Sequence, residues 1–260
     1  MAEEAAPLEN RDGWNQHWDD YATAAAANPA QAYRRKLILR LLALGEAKAP
    51  VRALDLGSGT GDMARDLARS RPDAEIVGLD LSASGAAIAQ KKVPGAHFFQ
   101  QDFTEPLKLE PRYHSWATHA VCSEVLEHLD DPVAMLRNVR ALMAPGCRLV
   151  VTVPGGPMSA FDRHIGHRRH FTAQLLERTL EDAGLRVALL RGAGFPFFNL
   201  YRLAVVARGE KLIADVIADN GRQLPFSARV SMRAFSWLFK LNTHQTRLGW
   251  QLVAVATEPG

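Results

Sequence analysis

Gly57, Gly59 and Gly61 fall in the run Leu54-Asp55-Leu56-Gly57-Ser58-Gly59-Thr60-Gly61, directly after an apolar stretch and directly before a helix-patterned one. Glycines allow a sharp turn and let a ligand lie close against the backbone. A strand leading in and a helix leading out is the setting in which such a loop holds a nucleotide. The spacing is G-x-G-x-G, whereas the dinucleotide fingerprint is G-x-G-x-x-G with a pyrophosphate at the helix N-terminus. Asp55, two positions before the first glycine, would repel a pyrophosphate but suits a ligand that carries an ammonium and a sulfonium. Two more acids close apolar runs: Asp80 in Gly78-Leu79-Asp80-Leu81-Ser82, and Asp102 in Gln101-Asp102-Phe103.

The second group of chemical residues is histidine-rich, and histidine is the side chain suited to proton transfer near neutrality. His128 ends Ser123-Glu124-Val125-Leu126-Glu127-His128, just after the apolar run 117–122. His164, His167 and His170 occur in the segment 162–172 together with Arg163, Arg168 and Arg169. A three-residue spacing of histidines invites a metal reading. Gly166 and the want of a nearby ordered acid weigh against it, so no metal ion is expected. The arginines suit a carboxylate or phosphate on a bound molecule, or else pairing with Asp162 and the helix carrying Glu177 and Glu181.

These residues need elements to position them. Tyr33, Leu37, Ile38, Leu41 and Leu42 recur at helical spacing, which predicts a helix over 30–44 that Gly45 ends. Beyond it, strand and helix alternate: strands at 51–56, 75–79, 96–100, 117–122 and 148–153, and helices at 62–69, 83–91 and 131–143. Pro145-Gly146 is the expected stop of the helix at 131–143. A helix capped by Thr172 reaches Ala183, a sixth strand covers 185–190, and the last strand, 250–256, comes only after a long interval. The rhythm predicts an α/β fold, a mostly parallel seven-stranded sheet with helices on both faces. The expected organisation is an N-terminal helical segment (1–45), a core (46–193), a helical, aromatic-rich cap inserted at 194–248, and the final core strand (249–260). Trp14, Trp18 and Tyr21 predict that the N-terminal segment docks on the body.

With these motifs assembled, Ala53 to Gly61 resembles motif I of the class I S-adenosylmethionine-dependent methyltransferases, whose fold is Rossmann-like. The order of the later motifs is similar too. The resemblance covers about 51–190 and the last strand. It implies S-adenosylmethionine as cofactor, bound by Asp55, Gly57, Ser58 and Gly59, with Asp80 on the ribose hydroxyls and Leu81 against the adenine. It further implies Asp102 on the exocyclic amine, Phe103 lining the base and Ser123 near the methionine end. The segment 166–172 is similar to a branch related to the ubiquinone-biosynthesis O-methyltransferases. Transfer to an oxygen of high pKa gains from a general base, and His128 and His167 are the candidates. Arg168, Arg169 and His170 are the candidates for binding an anionic acceptor. Tyr33 and Arg34 are within reach of the cofactor carboxylate, although a solvated helix face also accounts for the arginine.

Composition limits the alternatives. Net charge is +3 over 260 residues, no electrostatic footprint for nucleic acid. The segment after the fourth strand lacks the Asn/Asp-Pro-Pro-aromatic motif of enzymes that methylate DNA bases, so DNA is not expected, nor is RNA favoured. The expected partner is a small-molecule acceptor, with membrane contact peripheral at most and homodimerisation left open. Cys122 and Cys147 form neither a disulfide framework nor a zinc spacing, and no signal-peptide pattern opens the chain. The expected compartment is the cytoplasm. Other readings stay open: transfer to a nitrogen or carbon by the same fold, an RNA acceptor met by the arginine cluster, a non-catalytic module that binds the cofactor, and a nicotinamide dehydrogenase.

Overall fold

The structure is a computed structural model that describes residues 13–15, 28–47, 50–211 and 226–260, without the side chains of 226–229. The elements, in chain order, are α1 (Pro29–Leu42), β1 (Arg52–Leu56), α2 (Asp62–Ser70), β2 (Glu75–Asp80), α3 (Ala83–Lys92), β3 (His97–Gln100) and β4 (Ala117–Ser123). They continue as α4 (Pro132–Arg140), β5 (Met143–Pro154), α5 (Ala160–His164), α6 (Ala173–Asp182), β6 (Arg186–Ala193), α7 (Phe197–Arg208), α8 (Phe226–Leu238) and β7 (Gln251–Thr257).

The strands form one sheet in the order β3-β2-β1-β4-β5-β7-β6. The pairs among β1 to β5 are parallel, whereas β7 runs antiparallel to both β5 and β6. The order reverses beside β1, so the carboxyl ends of β1 and β4 flank the crevice where open α/β sheets bind ligands.

Period-two alternation splits each buried strand between two cores. Leu54, Leu56 and Leu79 face one side with Leu136 of α4 and Leu176 of α6. Ala53, Ile76 and Val121 face the other with Ile38 of α1 and Leu67 of α2. The predicted two-sided sheet is therefore observed, and its element boundaries differ from expectation in one instructive place. The helix expected over 131–143 ends at Arg140, and Pro145-Gly146 lies inside β5 instead of stopping a helix. The amides of Trp116 and Ala117 both donate to the Leu142 carbonyl, at 2.9 and 2.8 Å. This pairing draws the chain into the sheet, and Gly146 takes the left-handed turn at φ +79°.

The expected cap is represented by α7 and α8. Phe198 and Phe239 form a small core with Ala30 and Tyr33 of α1, and Phe197, Tyr201 and Phe235 pack against it. The cap thus rests on the N-terminal helix through aromatic contacts: the ring centroid of Tyr33 is 5.6 Å from that of Phe239 and 5.9 Å from that of Phe198. Trp18 and Tyr21 lie outside the described residues, while Trp14 packs edge-on against His128 with centroids 4.8 Å apart. No helix among the described residues is long and apolar enough to cross a membrane.

Candidate functional site

The glycine turn follows β1. Gly57, Gly59 and Gly61 all have positive φ, at +72°, +50° and +77°. A Cβ on Gly57 would come within 2.3 Å of Val125 Cγ2, and one on Gly61 within 2.8 Å of Ala89 Cβ. Only glycine fits both the conformation and the space. The turn is locked by its neighbours: the amides of Gly57 and Ser58 donate to the Leu79 carbonyl, at 2.8 and 3.0 Å.

The three predicted acids converge on this turn or on the adjacent strand ends. Asp80 accepts from the Gly59 amide at 2.7 Å and from the Ser82 amide at 2.9 Å, tying the end of β2 to the loop. Asp102, buried after β3, accepts from both the amide and the hydroxyl of Thr104, at 2.8 and 2.7 Å. Asp55 is buried, and burial together with the charge of Asp80 pushes its carboxyl up to about 7. Asp55 Oδ2 and Ser58 Oγ are buried without a hydrogen-bond partner. Since buried polar atoms are nearly always paired, two orphaned oxygens beside a glycine turn mark a place for a ligand that donates hydrogen bonds or carries positive charge. Leu81 is half-buried at the end of β2, and Phe103 lies in the core shared with α4.

The loop at the mouth of β2 is crossed by the N-terminal segment. Asn15 Oδ1 accepts from the Ser82 hydroxyl at 2.7 Å and from the Ser84 amide at 3.3 Å. With Trp14 on His128, residues 14 and 15 therefore reach from the end of β2 to the segment after β4.

That segment begins with strain. Glu124 is a non-glycine residue at φ +57°, an arrangement that persists only where the surroundings enforce it. Its carboxylate accepts from Gln251 Nε2 at 2.9 Å and from Thr152 Oγ1 at 3.2 Å, and it pairs with Arg34 at 3.4 Å. Ser123 bonds Thr152 through its hydroxyl at 2.8 Å. Arg34 is thus engaged in a half-buried pair with Glu124, and the solvated-face account is corrected. Tyr33 goes elsewhere, into the aromatic cap contact, with its hydroxyl on the Thr243 carbonyl at 3.4 Å.

Beside them lies a histidine cluster. His128 and His167 meet edge to face with centroids 4.7 Å apart, and His167 Nδ1 is 3.4 Å from His170 Nε2. His170 Nδ1 is 3.0 Å from the Gly156 carbonyl, which can only accept. His170 must donate there, so its Nε2 accepts from His167 Nδ1–H, and His167 Nε2 is left as a lone pair. That lone pair faces the fully buried Glu127 at 4.0 Å. Neither oxygen of Glu127 has a hydrogen-bond partner. Burial, reinforced by Glu124, lifts its carboxyl well above the usual range. Burial also lowers His167 to about 4, so its ring is neutral at pH 7.

Asp162 is the fixed charge of the cluster. Arg202 of α7 donates to both its oxygens, at 3.0 and 2.7 Å, and Ser159 donates through its amide and hydroxyl at 2.7 Å each. Against its burial, Arg202 and Ser159 hold Asp162 down to about 2. Ordered acids therefore do face the histidines, contrary to the expectation. The potential ligand atoms of Glu127, His128 and His167 lie within 4.8 Å of one another, as do those of Asp162, His167 and His170. His164 is exposed on α5 and joins neither group.

The arginines behave differently from one another. Arg169 donates to the carbonyls of Leu129 and Asp130, at 3.0 and 2.9 Å, and Arg168 pairs with the Asp130 carboxylate. Both clamp the segment to the turn after His128, and neither the Asp162 pair nor the 177–181 helix engages them. Glu124, Glu127 and Arg202 are site residues to which sequence reasoning assigned no role, and Asp162, expected as a partner for the arginines of its own segment, pairs instead with Arg202. Only the left-handed backbone and burial single them out, and neither leaves a mark in the sequence.

A family described as "Methyltransferase domain" matches residues 29–190, more than half of the chain. Trans-aconitate 2-methyltransferase of Methylobacterium nodulans is 33% identical over 138 residues, which cover 52% of each chain. Ubiquinone biosynthesis O-methyltransferase of Aeromonas salmonicida is 28% identical over 172 residues, 58% of this chain and 70% of that one. The chain spans about half the length of the first curated relatives it matches. Among solved structures, phosphoethanolamine N-methyltransferase 2 of Haemonchus contortus, in complex with S-adenosyl-L-methionine, superposes with a TM-score of 0.62 at 17% identity. The match covers 97% of this chain and 59% of that one, and it shows a shared fold.

Proposed function

The chain belongs to the class I methyltransferase family, and from that premise we propose that it transfers a methyl group from S-adenosylmethionine to an oxygen of a small, anionic acceptor. The observation that carries the cofactor is the pair of orphaned oxygens, Asp55 Oδ2 and Ser58 Oγ, beside the glycine turn. Asp55, Gly57, Ser58 and Gly59 would hold the methionine part, Asp80 and Leu81 the ribose and base, Asp102 and Phe103 the adenine edge. Ser123 would stand at the methionine end. When bound, the cofactor supplies a methyl group on a sulfonium that is already activated for displacement.

The protein's own tasks are then alignment, water exclusion and proton removal. Trp14 covers His128 from the N-terminal side, which limits solvent at the point where the acceptor would enter. His128 is the residue assigned to take the acceptor's proton as the new bond forms. His167, neutral and oriented by His170, positions His128 through their edge-to-face contact. His170, Arg168 and Arg169 were expected to bind the acceptor. The engagement of both arginines with the 129–130 turn supports a shaping role for them, and leaves His170 and the rim of 156–170 to contact the molecule.

Calorimetric titration with S-adenosylmethionine, followed by an acceptor screen of phenols and carboxylic acids, tests the reading. Binding with methyl transfer to oxygen supports it. Binding without transfer to any acceptor points to the non-catalytic module, and transfer to nitrogen or carbon overturns the choice of atom. The cytoplasm remains the proposed compartment.

A further inference from the structure

The cap carries two apolar faces, and only one is used internally. On the inner side Phe198, Tyr201, Phe235 and Phe239 pack with Tyr33. On the outer side Leu200 and Leu203 of α7 are exposed, as are Val230 and Trp237 of α8 and Leu241 just beyond it. Positions 230 and 237 are seven apart, so they share one face of α8, and Leu241 follows in the short 3-10 turn Phe239–Leu241. Trp237 is 60% exposed and Leu241 57%. Single exposed apolar residues are ordinary. Here, however, seven of the eight large exposed hydrophobics among the described residues lie within 195–248.

The charge of the same region is one-sided. Lys211, Arg233, Lys240 and Arg247 are exposed, and Glu210 is the one acid among the described residues of 194–248. Cations interleaved with an exposed indole and leucines match the headgroup layer of an anionic lipid surface, where basic residues meet phosphates and apolar ones reach the acyl boundary. A two-fold contact between copies would instead set these cations against one another. The absence of a crossing helix among the described residues is compatible with a chain that lies on the bilayer.

We propose that the outer face of α7, α8 and Leu241 docks the protein on an anionic membrane surface, with Trp237 and Leu241 inserted at headgroup depth. This docking is independent of the acceptor's identity and of whether methyl transfer occurs.

The test is co-sedimentation of the full chain with vesicles of phosphatidylcholine alone and of equimolar phosphatidylcholine and phosphatidylglycerol. Two double variants are compared, Arg233→Glu with Lys240→Glu and Trp237→Ser with Leu241→Ser. All substituted residues are solvent-exposed, and circular dichroism with cofactor titration checks that the fold is kept. The expected result is binding to the anionic vesicles that weakens with added salt. The charge reversal should lower it at least about ten-fold, and the apolar variant should lower it even at low salt. Absent binding to anionic vesicles at low salt overturns the proposal, as does equal binding by either variant. A dimer in sedimentation analysis that Trp237→Ser dissociates also overturns it, because the occupant is then a second copy.

Discussion

At the residue scale, the site is governed by buried carboxylates that lack the usual partners. Asp55 at about 7 is half-protonated at neutrality in the free protein, whereas a ligand bearing a sulfonium and an ammonium favours its ionised form. Affinity for S-adenosylmethionine is therefore expected to rise with pH through about 7, with proton release on binding. Titration in buffers of different ionisation enthalpy reads this directly, and Asp55→Asn should flatten the profile. The same raised value gives a stability signature in the free protein. The contribution of protonated Asp55 is complete below the unfolded value near 4 and is lost as pH rises through about 7. His167 acts oppositely, since its lowered value makes stability fall as pH drops from about 6.5 toward 4. Asp80→Ala removes the acceptor of two loop amides. It is expected to weaken cofactor binding on the order of a hundred-fold, about 3 kcal/mol for two charge-assisted bonds, and a fluorescence or calorimetric titration measures it.

At the element scale, two short connections carry the geometry. The glycine turn sits against α3 so closely that Gly61→Ala would have to displace Ala89 while adopting φ +77°. The expected outcome is a lower thermal midpoint and loss of cofactor binding, with scanning calorimetry and titration as the readouts. The other connection is the Asp162–Arg202 pair, which joins α5 to α7 and so couples the histidine segment to the cap. Asp162 is 1% exposed, and removing one partner of such a pair leaves an uncompensated buried charge. Asp162→Ala is expected to cost about 3 to 5 kcal/mol in denaturant unfolding. It should also disturb methyl transfer more than cofactor binding, because the glycine turn is untouched.

At the scale of the whole molecule, the cap packs on the N-terminal helix, which itself lies on the sheet beside α2, through the Tyr33, Phe198 and Phe239 rings. Phe239→Ala removes the ring that touches Tyr33, Phe198, Tyr201 and Phe235. It should cost about 3 kcal/mol or more. Hydrogen exchange should localise the loosening to α7 and α8, leaving the amides of β1, β4 and β5 protected.

The seven strands, the two-sided sheet and the glycine turn were readable in the sequence because they rest on local causes. Apolar alternation sets which strand faces are buried, and glycine alone tolerates the turn. The acids at the ends of β1, β2 and β3 were readable for the same reason, as each occupies a fixed offset from its strand. The end of the helix after Asp131 was not, because pairing of 141–143 with the start of β4 overrides local propensity. Nor were the partners of Arg34, Arg168, Arg169 and Arg202, since a cation gives no sign in sequence of which distant oxygen will accept it. The glutamates of the 123–128 segment, visible there only as part of a motif, became an ion-paired strained residue and an orphaned buried acid. Burial and long-range contact decide a carboxyl's charge, and they exist only once the chain has folded.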